Sequence, residues 1–140
     1  MNQQAIFLPF LVLMLLTLVV WLYMYSQRIP FIVRQRLRPE QLTPLELARL
    51  SPPAVANPSD NLKNLFEIPV LFYALCLYLY LIRRVDLADL CAAWLFVVLR
   101  ILHSLVHCTI NIVLWRFWLY ALSTLAIWFM LIRAVLGLLM

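Results

Sequence analysis

The sequence predicts an all-α integral membrane protein, a bundle of four hydrophobic helices in a single domain, and three observations predict it. Of its 140 residues 66% are apolar and 12% are charged, a balance that a soluble domain of this size reaches only by exposing large apolar patches. The stretch from Ala5 to Tyr25 carries no charge, and a helix of about 20 apolar residues spans a bilayer. Three further apolar runs follow, the second stopped by Arg83-Arg84 and the fourth carrying Arg133 near its far end, which places the helices at about 5–27, 61–82, 87–113 and 116–138.

The first helix is read as retained rather than as a signal peptide. No basic residue precedes it, it is longer than a signal's apolar region, and no small-x-small cleavage site lies in Trp21–Arg28. Pro30 lacks an amide donor and biases Ile29 away from helical geometry, so the helix is expected to end near Tyr25–Arg28. A polar connection at 28–60 follows, with Arg28, Arg34, Arg36, Arg38 and Arg49 against Glu40, Glu46 and Asp60, interrupted by six prolines from Pro30 to Pro58. Within it, Thr43-Pro44-Leu45-Glu46 has the pattern of an N-cap, a first-turn proline and a first-turn acid, which predicts a short helix to Leu50.

The second apolar run begins with Lys63, Asn64 and Glu67 and is stopped by Arg83-Arg84. Asp86 then caps the third helix, with Asp89 in its first turn where acid suits the positive end of the helix dipole. So short a turn makes the second and third helices antiparallel neighbours. Trp and Tyr gather near segment ends, as in interfacial belts. The excess of basic residues in the first connection places it in the cytoplasm and both termini on the opposite side, although Arg83-Arg84 opposes this.

The formal charge of +5 is not a nucleic-acid signature, because the basic residues sit where apolar segments end. Cys76, Cys91 and Cys108 are odd in number and lie in or beside apolar segments, so they read as packing residues rather than a disulfide framework.

Ionisable side chains inside spanning helices cost several kcal/mol unless paired or hydrated, so each marks a functional hypothesis. Here they form stripes. At a helical turn of about 100° per residue, Arg100, His103, His107 and Asn111 fall within about 80° of arc, with Ser104 at the border. Asp60, Lys63, Asn64 and Glu67 share one sector of the second helix, and Arg116, Tyr120, Ser123 and Thr124 form a stripe on the fourth. Such stripes imply an internal polar cavity or a wet subunit seam. The competing structural reading is a buried Glu67–Arg100 ion pair with satisfied core histidines. A metal site at His103 and His107 with Glu67 is disfavoured by Arg100 one turn away, so none is expected. The arginines favour an anion, because guanidinium offers a permanently charged fork in a low-dielectric site.

These residues resemble the MAPEG family, the membrane-associated proteins of eicosanoid and glutathione metabolism, which includes microsomal glutathione transferases and a microsomal prostaglandin E synthase. The resemblance covers the whole four-helix layout. It is carried by Asn64-Leu65-Phe66-Glu67 with Pro69, similar to the family's N-x-x-E signature, and by Arg100-x-x-His103-x-x-x-His107 followed by Arg116 and Tyr120.

The resemblance implies a homotrimer with glutathione, as co-substrate, between adjacent subunits near the cytoplasmic side. It implies that Asn64 and Glu67 hold the glutathione backbone, that Arg100, His103 and Arg28 meet its carboxylates, and that Lys63 and His107 complete the binding set. Arg116 stands near the sulfur and stabilises the thiolate, with Tyr120 a neighbouring contact; a lipophilic electrophile enters from membrane lipid. The chain departs from the family where His107 replaces Tyr, where Lys63 stands for Arg of one branch, and where Phe117 replaces the Ser of the prostaglandin synthase branch, so prostaglandin isomerisation has little support. The expected function is a glutathione-dependent membrane transferase or peroxidase. The alternative is a noncatalytic membrane binding or scaffold protein of the same fold; one glycine and no pair of broken helices argue against a transporter.

Overall fold

The computed structural model describes residues 2–139, and among these its regular structure is helix alone, with four helices long and apolar enough to cross a membrane. The chain is a multi-pass integral membrane protein. Helix α1 spans Phe7–Gln35, α2 Pro44–Leu50, α3 Pro53–Leu65, α4 Ile68–Leu81, α5 Leu87–Cys108 and α6 Val113–Leu139. The α3–α4 pair makes one crossing, so the order is up, down, up, down.

The first helix runs well past its expected end, with Pro30 inside it. Proline removes one intrahelical bond, and packing of α1 along α3 outweighs that loss. The stop comes at Arg36, which turns left-handed (φ 50°) while Leu37 N–H donates to Ile32 O at 3.2 Å. The short helix after Pro44 forms as the sequence predicts, although the Thr43 side chain makes no capping bond.

The second crossing differs most from expectation. Its helix starts at Pro53 rather than 61, because proline suits a first turn whose amides have no helical acceptor. It then breaks at Phe66 and Glu67 instead of continuing to 82. Pro69 supplies the physical reason: it has no N–H for the carbonyl four residues back, so the ladder is already open at that turn. The remaining boundaries shift less. Helix α5 ends at Cys108 rather than 113, because Asn111 adopts φ 50° and sends its N–H back to Val106 O at 2.7 Å, and α6 begins at Val113 rather than 116.

Helix α5 is central, packed against α6, α1 and α3. Ala92 and Ala93 permit close approach, and Phe72 of α4 reaches Phe96 of α5 with ring centroids 4.8 Å apart. Leu8, Leu11, Leu15, Leu18 and Leu22 of α1 point outward, as a helix bathed in lipid requires. The antiparallel relation of the second and third crossings holds, with close backbone contact confined mainly to the α3 half.

The end of the bundle holding the termini is locked by polar contacts. The Gln3 amide brackets Val85, accepting from its N–H at 2.9 Å and donating to its carbonyl at 3.1 Å. Arg133 of α6 pairs with Asp86 and, at 3.2 Å, with the buried Asp89, while Arg84 donates to the Gly137 carbonyl. Asp86 caps α5 as the sequence predicts, accepting from Asp89 N–H at 2.9 Å.

That amide, with Arg133 beside it, holds the Asp86 carboxyl below the usual carboxylate range. A depressed folded value means that its stabilisation is complete above the unfolded value of about 4 and is lost as pH falls through the folded one. Asp86→Ala is expected to lower the thermal midpoint in detergent at pH 7 by the equivalent of about 1 kcal/mol, as loss of a cap does. The deficit should close in strong acid. A deficit unchanged there would rule out the ionised carboxylate as its source.

Candidate functional site

The break between α3 and α4 builds the polar site. It frees the Asn64 carbonyl, and Arg100 Nη2 donates to it at 2.8 Å. Arg100 is 0% exposed, and its guanidinium lies over the Tyr120 ring at 5.1 Å. Tyr120 OH donates to Glu67 Oε2 at 3.3 Å, so α6 and the α3–α4 junction close over Arg100 together. The simple Glu67–Arg100 ion pair is therefore not formed: Glu67 is exposed, and the guanidinium takes a backbone carbonyl instead.

One turn along α5, His103 Nδ1 donates to the Arg116 carbonyl at 3.0 Å; a carbonyl only accepts, which fixes the proton on that nitrogen. The His103 ring lies 5.6 Å from His107 and 5.9 Å from Tyr120, and both histidines are buried. Arg116 Nη1 donates to Asn111 Oδ1 at 2.6 Å, and Asn111 Nδ2 donates to Asn57 Oδ1 at 3.0 Å. Below them Ser104 Oγ donates to Asn61 Oδ1 at 3.3 Å, and Asn61 Nδ2 meets Cys108 Sγ at 3.5 Å.

Several buried nitrogens in this cluster have no hydrogen-bond partner among the described residues: Arg100 Nε and Nη1, His103 Nε2, His107 Nδ1 and Arg116 Nε. Burial without a partner costs about 1–3 kcal/mol per group, and more for a charged one. The arginine nitrogens therefore suit a bound species rich in acceptor oxygens or sulfur, while His103 Nε2, left without the proton, suits a donor. No three His, Cys, Asp or Glu side chains among the described residues gather as a metal site would require.

The structure brings Asn64, Glu67, Arg100, His103, His107, Arg116 and Tyr120 to one region and leaves Arg28 and Lys63 outside it. Arg28 Nη2 donates to Ser59 Oγ at 2.6 Å, and Lys63 pairs with Asp60 at 2.8 Å in the open. Both line a cavity of about 260 Å³ beneath α2. The single sector expected for Asp60, Lys63, Asn64 and Glu67 is thus split. On α3, Ser59 and Lys63 face away from Asn57, Asn61 and Asn64, and the break re-aims Glu67.

Asn57 and Asn61 are contributors that sequence reading missed. Their spacing with Asn64, at i, i+4 and i+7, is a helical face, but Pro52, Pro53 and Pro58 disguise the segment as a loop. The cysteines are all free; Cys76 is buried as a packing residue should be, whereas Cys91 faces outward.

A lipid-facing groove of about 630 Å³ runs between α4 and α6. It starts at Leu71, one turn beyond Glu67, and continues past Tyr78, Trp128 and Leu131.

A model of the MAPEG family matches residues 6–136, nearly the whole chain. Neither a curated protein nor a solved structure matches it. With four membrane-crossing helices, the N-x-x-E run placed at the helix break, and Arg100, Arg116 and Tyr120 gathered around it, the chain belongs to the MAPEG family, a group of membrane proteins of glutathione-related transferase and peroxidase type.

Proposed function

We propose that the protein is a glutathione-dependent membrane transferase or peroxidase acting on lipophilic electrophiles. The observation that carries this reading is Arg100: a guanidinium wholly enclosed within the bundle, with two nitrogens unpartnered and no carboxylate paired to it. Such a group is costly unless an anion completes it, and glutathione supplies two carboxylates and a thiol.

Asn64 and Glu67 hold the peptide backbone, with Glu67 facing the amino group, while Arg100 and His107 take carboxylate oxygens and His103, its Nδ1 proton already given to the Arg116 carbonyl, offers Nε2 as acceptor to a ligand N–H. Opening the weak 3.3 Å contact between Tyr120 and Glu67 admits the ligand. Arg116 favours the thiolate: the thiol proton leaves to water, and the sulfur lone pair forms a bond to the electrophilic carbon as the leaving group departs with its electrons. On a hydroperoxide the same sulfur attacks the terminal oxygen, the O–O bond breaks and the alkoxide leaves to be protonated as the alcohol; a second glutathione thiol then attacks the sulfenic acid, water departs, and the disulfide forms.

The protein acts as a homotrimer with the site at the subunit seam. Arg28 and Lys63, which lie outside the cluster within one chain, then face the ligand of a neighbouring subunit. The α4–α6 groove opens the seam to membrane lipid, so a lipophilic substrate reaches the sulfur without leaving the bilayer. The 28–60 connection is cytoplasmic, where glutathione is supplied, and both termini lie opposite.

Calorimetry with glutathione in detergent, turnover of a chromogenic electrophile, and native mass spectrometry test this together. Binding, turnover and a trimer are expected. Absence of both binding and turnover removes the enzyme reading, and a stable monomer removes the seam. Binding without turnover favours a noncatalytic binding or scaffold role, which the enclosure of Arg100 behind Tyr120 would suit. Glu67→Ala is expected to weaken glutathione binding about tenfold while turnover at saturation changes little, the pattern of uniform binding loss.

A further inference from the structure

We infer that Asn111 is a positioning residue that aims the Arg116 guanidinium, and that Asn57 braces the other end of the Asn111 amide. This rests on the proposed role of Arg116 beside the thiolate.

Arg116 lies in the first turn of α6, on a long side chain that loses about 2 kcal/mol of rotamer freedom when held. Among the described residues its one side-chain hydrogen bond is to Asn111 Oδ1 at 2.6 Å. A guanidinium can only donate, so the asparagine must present its oxygen. That leaves the amide nitrogen to donate, and Asn57 Oδ1 accepts from it at 3.0 Å, which braces the far end of the Asn111 amide. The relay ties α3 to the α5–α6 turn and the turn to α6.

The residue type fits two demands at one position. The backbone at Asn111 is left-handed, φ 50°, a conformation that Asn tolerates better than most residues. The acceptor is also neutral. An aspartate here would hold the guanidinium equally well but would compensate its charge, and a compensated arginine has less to offer a thiolate. An amide fixes direction and leaves the full positive charge for the ligand.

Substitutions at Asn111 separate the turn from the acceptor. Asn111→Gly keeps the left-handed backbone and deletes the amide; Asn111→Asp keeps an acceptor and adds a negative charge. Two readouts are taken on trimeric protein in detergent. The first is the ultraviolet thiolate signal of bound glutathione as a function of pH, with kcat and KM. The second, without glutathione, is the rate at which a dicarbonyl reagent modifies Arg116, read by mass spectrometry.

Asn111→Gly is expected to raise the midpoint of the thiolate titration by about one pH unit and lower kcat about tenfold, with KM held within about twofold. Arg116 modification should accelerate severalfold in Asn111→Gly and in Asn57→Ala. Asn111→Asp should also raise the thiolate midpoint, yet keep Arg116 modification near the wild-type rate.

If Asn111→Gly matches the wild type in both readouts, the residue serves the turn alone and the inference falls. If the wild type shows no thiolate signal while Asn111→Gly still speeds Arg116 modification, the positioning stands and the thiolate role of Arg116 falls.

Discussion

Arg116→Ala is expected to lower turnover of a lipophilic electrophile by about 100-fold, the scale of losing one preorganised charge or donor at a reacting centre. Affinity for glutathione should change by less than about threefold, because on the proposed reading Asn64, Glu67 and Arg100 hold the rest of the molecule. The reasoning is electrostatic. A cysteine-type thiol has a pKa near 8.5 and is mostly protonated at neutral pH, and a fixed guanidinium in a water-poor site favours its anion. Arg116 is suited to this because its charge is not spent on a carboxylate: its side-chain partner is the neutral Asn111. Equal losses of affinity and turnover would make Arg116 a binding residue and remove thiolate activation.

The second large effect is expected at Arg100, and its two halves have opposite signs. Arg100→Met replaces an enclosed cation by an apolar side chain of similar length. Where a buried charge serves packing alone, such a replacement is neutral or stabilising, by about 1–4 kcal/mol. The thermal midpoint of the apo protein should therefore hold or rise. Glutathione affinity should fall about 100-fold or more, since a carboxylate left without its buried partner costs about 2–5 kcal/mol. A lower midpoint with unchanged affinity would show that Arg100 only fixes the register of α3 against α5, through the Asn64 carbonyl.

The polar stripe on α5 was legible because a helix of regular pitch places Arg100, His103 and His107 on one face whatever surrounds it. The face of α3 was not. Its prolines read locally as breakers, yet Pro53 stands at a helix start and Pro58 is held inside the helix by packing of α3 on α1 and α5. Asn57 and Asn61 were hidden with it. Pro30 misled in the same way, since the cost of one absent backbone bond is known from sequence while the packing that offsets it is not.

The cavity beneath α2 and the groove between α4 and α6 were beyond sequence reading as well. That Arg28 meets Ser59 rather than Arg100 follows from the direction of α3 relative to α1, a long-range relation that periodicity within a segment does not encode.

By itself, the sequence determined that the protein lives in a membrane, that it crosses four times, and that arginines and histidines are carried inside. Lipid admits few alternatives, since every buried backbone amide must find a partner within its own helix. The tertiary structure alone decided which polar residues meet. The break beside Pro69 releases the Asn64 carbonyl to Arg100, and the left-handed turn at Asn111 brings an amide oxygen to Arg116. Both depend on helices distant in sequence arriving at one place, and packing rather than local propensity sets that.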